Sequence, residues 1–372
     1  VGVDQEVRHI AIPMPKRVMH DLDVNLTDQY YGNKDKAIYS VPRGKLNVLL
    51  MNLAEARGAK IFFNHRCLDI STDRPELTLL DNKSNRELTI SCDLVVGADG
   101  AYSAVRDKMM RQDRFQFSQN YIEHGYKELL IPANPDGTHK IEKNALHIWP
   151  RGSYMLIALP NLDGSYTCTL FSPYGGKDSF EDLDTPKKVK GFFNRVFNDF
   201  AKLTPDLVDQ FFNNPTSSMG IFKCYPWHLK NYCVLIGDAA HATVPFYGQG
   251  MNASFEDCRV LDELLDKESD MNNILKKYSK NRKPNGDGLQ DLSLHNFIVM
   301  RDKTADPDFL LQKKIEQKFS QKFPDKWVPL YSMVSFTNIP YSEAWEIGMR
   351  QEKLMSKIMN IPNIYEKWDS DE

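Results

Sequence analysis

The chain has 372 residues, of which 41% are hydrophobic and 26% are charged, and its formal net charge is −3. This length can bury the cores of two domains, and the near-neutral charge gives no reason to expect nucleic acid or an anionic membrane as a partner. No uninterrupted apolar run reaches the roughly 18 residues of a membrane-spanning helix. The six cysteines form no CxxC pair, which predicts reduced, mostly buried thiols and an intracellular compartment.

The amino-terminal part of the chain predicts a mixture of helices and strands. Residues 3–12 are typical of the middle of a helix. Residues 46–58 predict a helix because their leucines share one face and Gly58 ends the pattern. Strands are predicted at residues 17–22, 60–63, 77–80 and 94–96. The last of these is a continuous apolar run that leads into glycines, which is typical of a buried parallel strand.

The middle of the chain has a different pattern. Strand-like segments at 146–149, 154–159 and 165–171 are separated by turn residues and predict an antiparallel meander. Residues 183–213 predict helices, and a parallel-strand pattern returns at 233–236. Residues 255–372 are rich in helix formers, with a strand-like break at 328–336. A sheet inserted between α/β segments predicts a second domain.

The stretch GDAAHATVPFYGQGMNASFEDC, residues 237–258, follows the second parallel-strand pattern. Asp238 would lie at the carboxyl end of that strand, where open α/β sheets bind ligands. Its carboxylate can either accept hydrogen bonds from ligand hydroxyls or cap the next turn. Gly248 and Gly250 allow the backbone to approach a ligand. A helix is predicted from about Met251, and the free N–H groups at its start favour an anion.

The glycine spacing in this stretch is weak evidence for a dinucleotide site. It lacks the strand-turn-helix spacing of that fingerprint, and Pro245 with two aromatic residues precedes it. A delocalised anion would suit the helix start equally well. The helix is predicted to bury one apolar face, formed by Met251, Phe255, Cys258, Leu261 and Leu265.

Two segments together carry a specific resemblance to a known family. GDAAHATVPFYGQGMNASFEDC is similar to the GD motif of the flavin-dependent aromatic hydroxylases, and GADGAYSAVR (97–106) resembles their DG motif. The two motifs stand in the expected order, with strand-like segments between them. PMPKRVMH (13–20), ALHIWPRG (145–152) and VPLYSMVSF (328–336) resemble the branch of this family that acts on L-kynurenine.

The resemblance implies an α/β FAD-binding fold of the p-hydroxybenzoate-hydroxylase type, with an inserted antiparallel β-sheet substrate domain and a helical carboxyl-terminal region. Substrate-domain strands are expected at 1–37, and the substrate-domain sheet at 113–226. The FAD-binding domain is expected at 38–112 and 227–285, followed by a helical cap at 286–372. The family's amino-terminal GxGxxG is expected upstream of Val1, within about seventy further residues.

The reaction implied by the resemblance is hydroxylation of L-kynurenine to 3-hydroxy-L-kynurenine, a step in tryptophan degradation and NAD biosynthesis. FAD would be bound, NADPH would reduce it, and O2 would react through a hydroperoxide on the flavin. The ring amine of kynurenine activates the attacked carbon, so no acid–base side chain is expected, and the protein positions the substrate and excludes water. Two alternatives stay open: a related hydroxylase of another aromatic acid, and a flavin-free, non-catalytic fragment.

Five residues are expected to bind the substrate because they match family segments: Arg17, Tyr31, Phe246, Asn296 and Tyr331. A substrate carboxylate calls for an arginine and hydroxyl donors. Taken alone, Arg17 is more typical of a solvated strand edge, the two tyrosines of core aromatic residues, and Asn296 of a polar helix position.

The resemblance also assigns residues to the cofactor: Arg43, Leu68, Asp99, Asp238, Pro245, Gly248, Gln249, Gly250, Met251 and Asn252. Asp99 and Arg106 of the DG motif are expected to support the pyrophosphate region and the approach of NADPH. Pro245, Phe246, Tyr247 and Gln249 are expected to line the wall between substrate and flavin, and Tyr247 stands where relatives often carry Phe or His. In isolation, Arg43 reads as an exposed residue at a helix start, and Asp99 as a turn residue before Gly100.

The carboxyl-terminal segment bears on location. Eukaryotic members of the family are anchored to the outer mitochondrial membrane by a hydrophobic carboxyl-terminal segment, whereas residues 346–372 are amphipathic and charged. We therefore predict a cytoplasmic monomer or homodimer, with the mitochondrial outer membrane as the alternative if an anchor was removed. His147 and His241 have no further ligand at a metal-binding spacing, so no metal site is predicted.

Overall fold

The computed structural model describes residues 2–31, 36–302 and 306–370. Its strands are β1 (Ile12–Met14), β2 (Lys16–His20), β3 (Leu26–Tyr30), β4 (Ile38–Ser40), β5 (His65–Ile70), β6 (Glu76–Asp81), β7 (Arg86–Ser91), β8 (Val95–Gly97), β9 (Gln116–Ile131), β10 (Ala145–Arg151), β11 (Tyr154–Pro160), β12 (Tyr166–Pro173), β13 (Thr216–Tyr225), β14 (His228–Leu229) and β15 (Cys233–Leu235). Its helices are α1 (Asp4–His9), α2 (Arg43–Ala56), α3 (Ala104–Met109), α4 (Pro186–Val196), α5 (Asn198–Leu203), α6 (Leu207–Asn213), α7 (Asp238–His241), α8 (Gly250–Lys267), α9 (Met271–Asp302), α10 (Pro307–Lys322), α11 (Leu330–Phe336), α12 (Tyr341–Met359) and α13 (Ile364–Lys367). A short 3-10 helix covers Pro245–Tyr247.

The chain forms two compact units, each assembled from separate stretches of sequence. The first unit comprises Val1–Ile61, Ile122–Met219 and Ile298–Phe309. The second comprises Phe62–Tyr121, Gly220–Phe297 and Leu310–Glu372. Strands β9 and β13 begin in one unit and end in the other, as do helices α9 and α10. The chain therefore returns to each unit more than once.

The first unit is built on a sheet with the strand order β13-β9-β12-β11-β10-β2-β3. Strands β10, β11 and β12 form the antiparallel meander that the turn residues predicted, and β2 joins it by parallel pairing with β10. Helices α4, α5 and α6 occupy the predicted helical segment and pack phenylalanines against the sheet. Fully buried aromatic residues of this core include Trp149, Tyr166, Phe193 and Phe200. Burial of such large apolar side chains is the main stabilising contribution to a core of this kind.

The second unit contains two three-stranded sheets. One has the order β14-β15-β8, with β15 parallel to β8 and Leu235 opposite Gly97. Both predicted parallel strands are thereby confirmed. Because the carboxyl ends of parallel strands meet at one edge, the loops that follow β8 and β15 begin side by side. The other sheet, β5-β6-β7, is antiparallel.

Two predicted strands are wrong. Residues 60–63 do not form a strand, because Phe62 and Phe63 are 70% and 62% exposed and a turn at Asn64, with φ 62°, precedes β5. Residues 328–336 include helix α11, which begins after Pro329 and buries Met333 and Val334.

Three further properties concern disulfides, membranes and metals. All six cysteines are unpaired. In the ranges that the structure describes, none of the helices combines the length and the apolar composition needed to cross a bilayer. Within the same ranges, His, Cys, Asp and Glu side chains form no group of three or more that could hold a metal ion.

A chain of buried polar side chains crosses the core of the first unit. His147 Nε2 lies 2.8 Å from the carbonyl oxygen of Glu142, which can only accept, so this nitrogen carries the hydrogen. His147 Nδ1 and His20 Nε2 lie 2.9 Å apart. His20 Nδ1 donates to Asp199 Oδ2 at 2.9 Å, and Trp149 Nε1 donates to the same oxygen at 2.7 Å. Burial opposes ionisation of Asp199, but the hydrogen bonds from His20 and Trp149 outweigh it and lower the pKa of Asp199.

This arrangement makes the stability of the protein depend on pH through His147. Burial lowers the pKa of His147 to about 4, whereas in the unfolded chain it titrates near about 6.5. As the pH falls from about 6.5 toward 4, only the unfolded chain gains this proton. The free energy of unfolding should therefore decrease by about 2 kcal/mol at pH 5, and the contribution is complete above about pH 6.5.

Urea unfolding of His147→Gln between about pH 7.5 and pH 5 should show a flatter dependence on pH than the parent protein. His9→Gln is the control because His9 is exposed on α1, and this variant should keep the parental slope. Equal slopes for His147→Gln and the parent protein would show that His147 does not titrate in the way described.

Candidate active site

Arg106 on α3 joins the loop that follows β8 to the loop that follows β15. Its Nη2 donates to the carbonyl oxygen of Ala101 at 2.5 Å, and its Nη1 donates to that of Ala239 at 3.0 Å. The guanidinium is buried and lies 5.0 Å and 5.3 Å from the ring centres of Phe117 and Phe222. Arg106 therefore holds the DG segment against the GD segment from within the second unit.

Asp99 and Asp238 are both exposed at this edge of the sheet. Asp99 Oδ2 accepts a hydrogen bond from Val105 N at 3.2 Å, so Asp99 also supports the start of α3. Asp238 is the first residue of α7, and Gly237 before it has φ 58°. A Cβ at Gly237 would lie 2.9 Å from Ser254 Oγ. Glycine alone fits this turn, which sets the carboxylate of Asp238 just beyond the end of β15.

Next to this turn lies the fully buried carboxylate of Asp257, on α8. Its Oδ2 accepts from Gly237 N at 2.9 Å and lies 2.6 Å from His241 Nε2. Its Oδ1 accepts from Arg282 Nε at 2.7 Å. Burial favours the neutral acid, but the hydrogen bonds and charges of His241 and Arg282 outweigh it and lower the pKa of Asp257. One ionised carboxylate thus ties the GD turn to α8 and α9.

Sequence reasoning missed the roles of these residues. In the sequence, His241 stands out only as a candidate metal ligand, and Asp257 and Arg282 lie 25 positions apart with no spacing that relates them. The one available signal was an acidic residue at the centre of a helix that follows the GD motif. A buried charge requires a partner, so that position called for a basic residue on a neighbouring helix.

The same cluster explains why the predicted apolar face of α8 is wrong. Of the five residues expected to be buried, only Leu261 is; Met251, Phe255 and Leu265 are 48%, 37% and 38% exposed, and Cys258 is also exposed. The buried residues of α8 are Ala253, Asp257 and Leu261. Asp257 faces inward, where it binds Arg282. The face with Met251 and Phe255 therefore points outward.

The loop before α8 presents backbone rather than side chains. Gly248 ends the 3-10 helix Pro245–Tyr247 in the left-handed conformation, with φ 66°. No side chain caps α8, so its first N–H groups remain available for a ligand. Met251 and Asn252 are exposed on this first turn. The start of the helix is as predicted within one residue.

Aromatic residues surround the other side of this loop within the second unit. The ring of Phe246 packs against that of Phe297 at 4.7 Å between centres, and Asn296 Nδ2 donates to the carbonyl oxygen of Phe246 at 2.8 Å. The ring of Tyr247 stacks on that of Tyr331 at 5.9 Å. The structure thus brings three predicted substrate residues, Phe246, Asn296 and Tyr331, to the loop that also carries the predicted cofactor residues.

Arg17 and Tyr31, the two predicted substrate residues of the first unit, form a pair. Arg17 Nε donates to Tyr31 Oη at 3.2 Å, and the guanidinium lies 5.0 Å from the centre of the Tyr31 ring. Arg17 is half-buried on β2, and Tyr31 is 9% exposed. A hydrogen bond at Nε together with a ring against the guanidinium plane fixes the orientation of the arginine. Arg17 is therefore not the solvated edge residue that its position alone suggested.

The two remaining predicted cofactor residues lie on different elements. Arg43 is exposed and is the first residue of α2, in the first unit. Leu68 is half-buried on β5, in the second unit, at an irregularity in the register between β5 and β6.

FAD, the cofactor implied by the sequence resemblance, fits the edge formed by β8 and β15. The exposed carboxylate of Asp238 can accept hydrogen bonds from ribityl or ribose hydroxyls. Gly248 and Gly250 leave the backbone open to close approach. The uncapped start of the 18-residue helix α8 offers N–H donors and a positive dipole to an anion.

Comparison with known proteins identifies a matching family and several relatives of this chain. Residues 1–293 match the profile of a family described as FAD binding domain. The chain is 49% identical to kynurenine 3-monooxygenase of Flavobacterium psychrophilum, with 100% of this chain and 83% of the relative covered. It is 45% identical to kynurenine 3-monooxygenase of Dictyostelium discoideum, over 96% of this chain and 80% of the relative. A solved structure of 2-methyl-3-hydroxypyridine-5-carboxylic acid oxygenase, in a tetrameric form, has a TM-score of 0.65 at 20% identity, covering 82% of this chain and 79% of that chain.

These findings confirm the predicted fold class, an α/β FAD-binding fold with an antiparallel sheet and a helical carboxyl-terminal region, and they place the chain in the class of FAD-binding proteins. The family within that class follows from the identity of 45–49% to the two relatives, which extends over 96–100% of this chain. The chain belongs to the kynurenine 3-monooxygenase family.

Asp257→Asn should destabilise the protein, because the buried Arg282 guanidinium would lose one of its two carboxylate partners and keep only Glu256. We expect the free energy of unfolding to fall by about 3 kcal/mol, measured by chemical denaturation. Asp262→Asn is the control, since Asp262 is exposed on the same helix, and its effect should stay below about 0.5 kcal/mol. Equal unfolding midpoints for the two variants would contradict the assigned role of the cluster.

Proposed function

We propose that the protein hydroxylates L-kynurenine at the ring carbon next to the amino group, forming 3-hydroxy-L-kynurenine, with FAD bound, NADPH as reductant and O2 as oxygen source. The observation that carries this proposal is the pairing of Arg17 with Tyr31, at 3.2 Å between Nε and Oη. The pair is built to recognise a carboxylate, and the amino-acid part of kynurenine supplies one. The names of the relatives at 45–49% identity support the same substrate.

Arg17 and Tyr31 are proposed to fix the amino-acid end of the substrate. A guanidinium offers paired N–H donors in a plane, which matches the two oxygens of a carboxylate. The ring of Tyr31 against that plane and the bond at Nε limit rotation of Arg17. Orientation established before the substrate arrives lowers the entropy cost of binding.

Phe246 and its neighbours are proposed to hold the aromatic ring of the substrate. Phe246 is supported by the ring of Phe297 and by the bond from Asn296 to its carbonyl oxygen. An apolar wall of this kind positions the ring and excludes water, which protects the activated oxygen. FAD, when bound at this loop and reduced by NADPH, would supply that oxygen from O2. The ring amine of kynurenine activates the carbon, so the side chains need not act as acid or base.

Arg17→Met should raise the KM for L-kynurenine about 10- to 100-fold, because a charge-assisted hydrogen bond to the carboxylate is lost. The kcat should change much less. For the kynurenine analogue that lacks the carboxylate, the variant and the parent protein should have similar kcat/KM. Steady-state assays with both substrates make this comparison.

Arg8→Met is a matched control for Arg17→Met. Arg8 in the first unit also pairs with a tyrosine, donating to Tyr39 Oη at 2.7 Å with its guanidinium 4.9 Å from the ring centre. Its replacement should leave the KM for L-kynurenine unchanged. If Arg17→Met lowered activity on both substrates equally, the carboxylate would not be its ligand.

Asp238→Asn should weaken FAD binding by about tenfold, because an amide is a poorer acceptor for flavin hydroxyls than a carboxylate. Titration followed by flavin fluorescence measures the dissociation constant. Asp262→Asn, an exposed change on α8, should leave the constant unaltered. If the Asp238 variant bound FAD as tightly as the parent protein, Asp238 would not contact the cofactor.

A further inference from the structure

Two donors converge on one oxygen of Gln249, in the loop before α8. Asn252 Nδ2 donates to Gln249 Oε1 at 2.8 Å, and Tyr341 Oη donates to the same oxygen at 3.2 Å. Asn252 lies on the first turn of α8, whereas Tyr341 is the first residue of α12, in the carboxyl-terminal region. The carboxamide of Gln249 is thus held from two helices at once.

The position of Tyr341 is fixed by contacts between α12 and α9. Asn285 Oδ1 accepts from Ser342 N at 3.3 Å and from Ser342 Oγ at 3.1 Å. Gly288 lets the two helices approach closely, since a Cβ there would lie 2.8 Å from the backbone of Ser342. The packing of α12 against α9 therefore fixes the position of the Tyr341 hydroxyl next to Gln249.

The two hydrogen bonds to Gln249 Oε1 set the direction of its carboxamide. Burial, with the charge of Glu256 adding to it, raises the pKa of Tyr341 to about 12, so its hydroxyl keeps its hydrogen at neutral pH. Gln249 Oε1 accepts both hydrogen bonds, from Asn252 Nδ2 on one side and from Tyr341 Oη on the other. The Oε1 atom therefore stays on the side of α12, and the NH2 group points away from it.

We infer that Tyr341 is a positioning residue that fixes the carboxamide of Gln249 so that its NH2 group donates to a carbonyl oxygen of the ligand at this loop. The inference rests on the proposed function. Two ligands present such an oxygen, the flavin ring and the ketone of kynurenine. The role of Tyr341 is indirect, because its own hydroxyl is occupied by Gln249.

The test compares Tyr341→Phe, Gln249→Leu and the double variant of the full protein. The dissociation constant of FAD, measured without substrate, reports on a flavin carbonyl, and the KM for L-kynurenine reports on the substrate ketone. Tyr341→Phe should raise one of these constants about three- to tenfold. In the Gln249→Leu background, Tyr341→Phe should have no further effect beyond about twofold, because the two residues act as one unit.

Two additional variants guard against a general structural effect. Gln249→Glu keeps an acceptor for Tyr341 but removes the NH2 donor, and it should raise the same constant as Gln249→Leu does. Tyr166→Phe removes another hydroxyl, which donates to the carbonyl oxygen of Ile141 at 2.8 Å in the first unit, and it should change neither constant.

Additive effects of Tyr341→Phe and Gln249→Leu, or both constants unchanged in Tyr341→Phe, would overturn the inference. A parent protein that binds FAD but forms no 3-hydroxykynurenine would instead overturn the proposed function. In that case the FAD titration of the same variants still decides on the role of Tyr341.

Discussion

The arrangement of the second unit depends on hydrogen bonds and an ion pair that stabilise one buried carboxylate, that of Asp257. Asp257 is fully buried, and its carboxylate is stable there only because Gly237 N, His241 and Arg282 satisfy it. These partners belong to the turn after β15, to α7 and to α9, whereas Asp257 belongs to α8. Since these partners come from different segments and share one carboxylate, the four segments keep one arrangement. That arrangement places Asp238, the next residue after Gly237, at the carboxyl edge of the parallel strands.

Helix α9 serves as the common support for the GD motif and for the carboxyl-terminal helices. Along its length, Arg282 binds Asp257, and Asn285 and Gly288 hold the start of α12. Between them, Gly286 leaves room for Trp227 and His241, because a Cβ there would lie 2.8 Å from the indole ring. Helix α9 therefore contacts both the turn that carries Asp238 and the start of α12, which carries Tyr341. For this reason we expect a substitution in α12 to alter ligand binding at the loop before α8.

Much of the fold could be predicted, but the contacts within the site could be predicted only in part. Strands β8 and β15 were predictable because continuous apolar runs end in glycine, whereas residues 60–63 and 328–336 were too short to distinguish a strand from a turn or a helix. The pairs Arg17–Tyr31 and Phe246–Asn296 were named through family motifs; neither spacing nor polarity would have related them. Asp257, Arg282 and Tyr341 were missed because tertiary packing alone brings them together. The five predicted domain segments, with boundaries after residues 37, 112, 226 and 285, stay a prediction. The roles of the individual site residues also stay predictions.

We propose that the protein holds FAD and L-kynurenine so that one oxygen atom from O2 enters the aromatic ring of the substrate. The most direct measurement is turnover of L-kynurenine with NADPH under isotopically labelled O2, followed by mass spectrometry of the product. We expect 3-hydroxy-L-kynurenine that carries one labelled oxygen in the ring hydroxyl, formed in proportion to the NADPH consumed. Oxidation of NADPH with unchanged kynurenine, or hydroxylation of a different aromatic acid in its place, would contradict it.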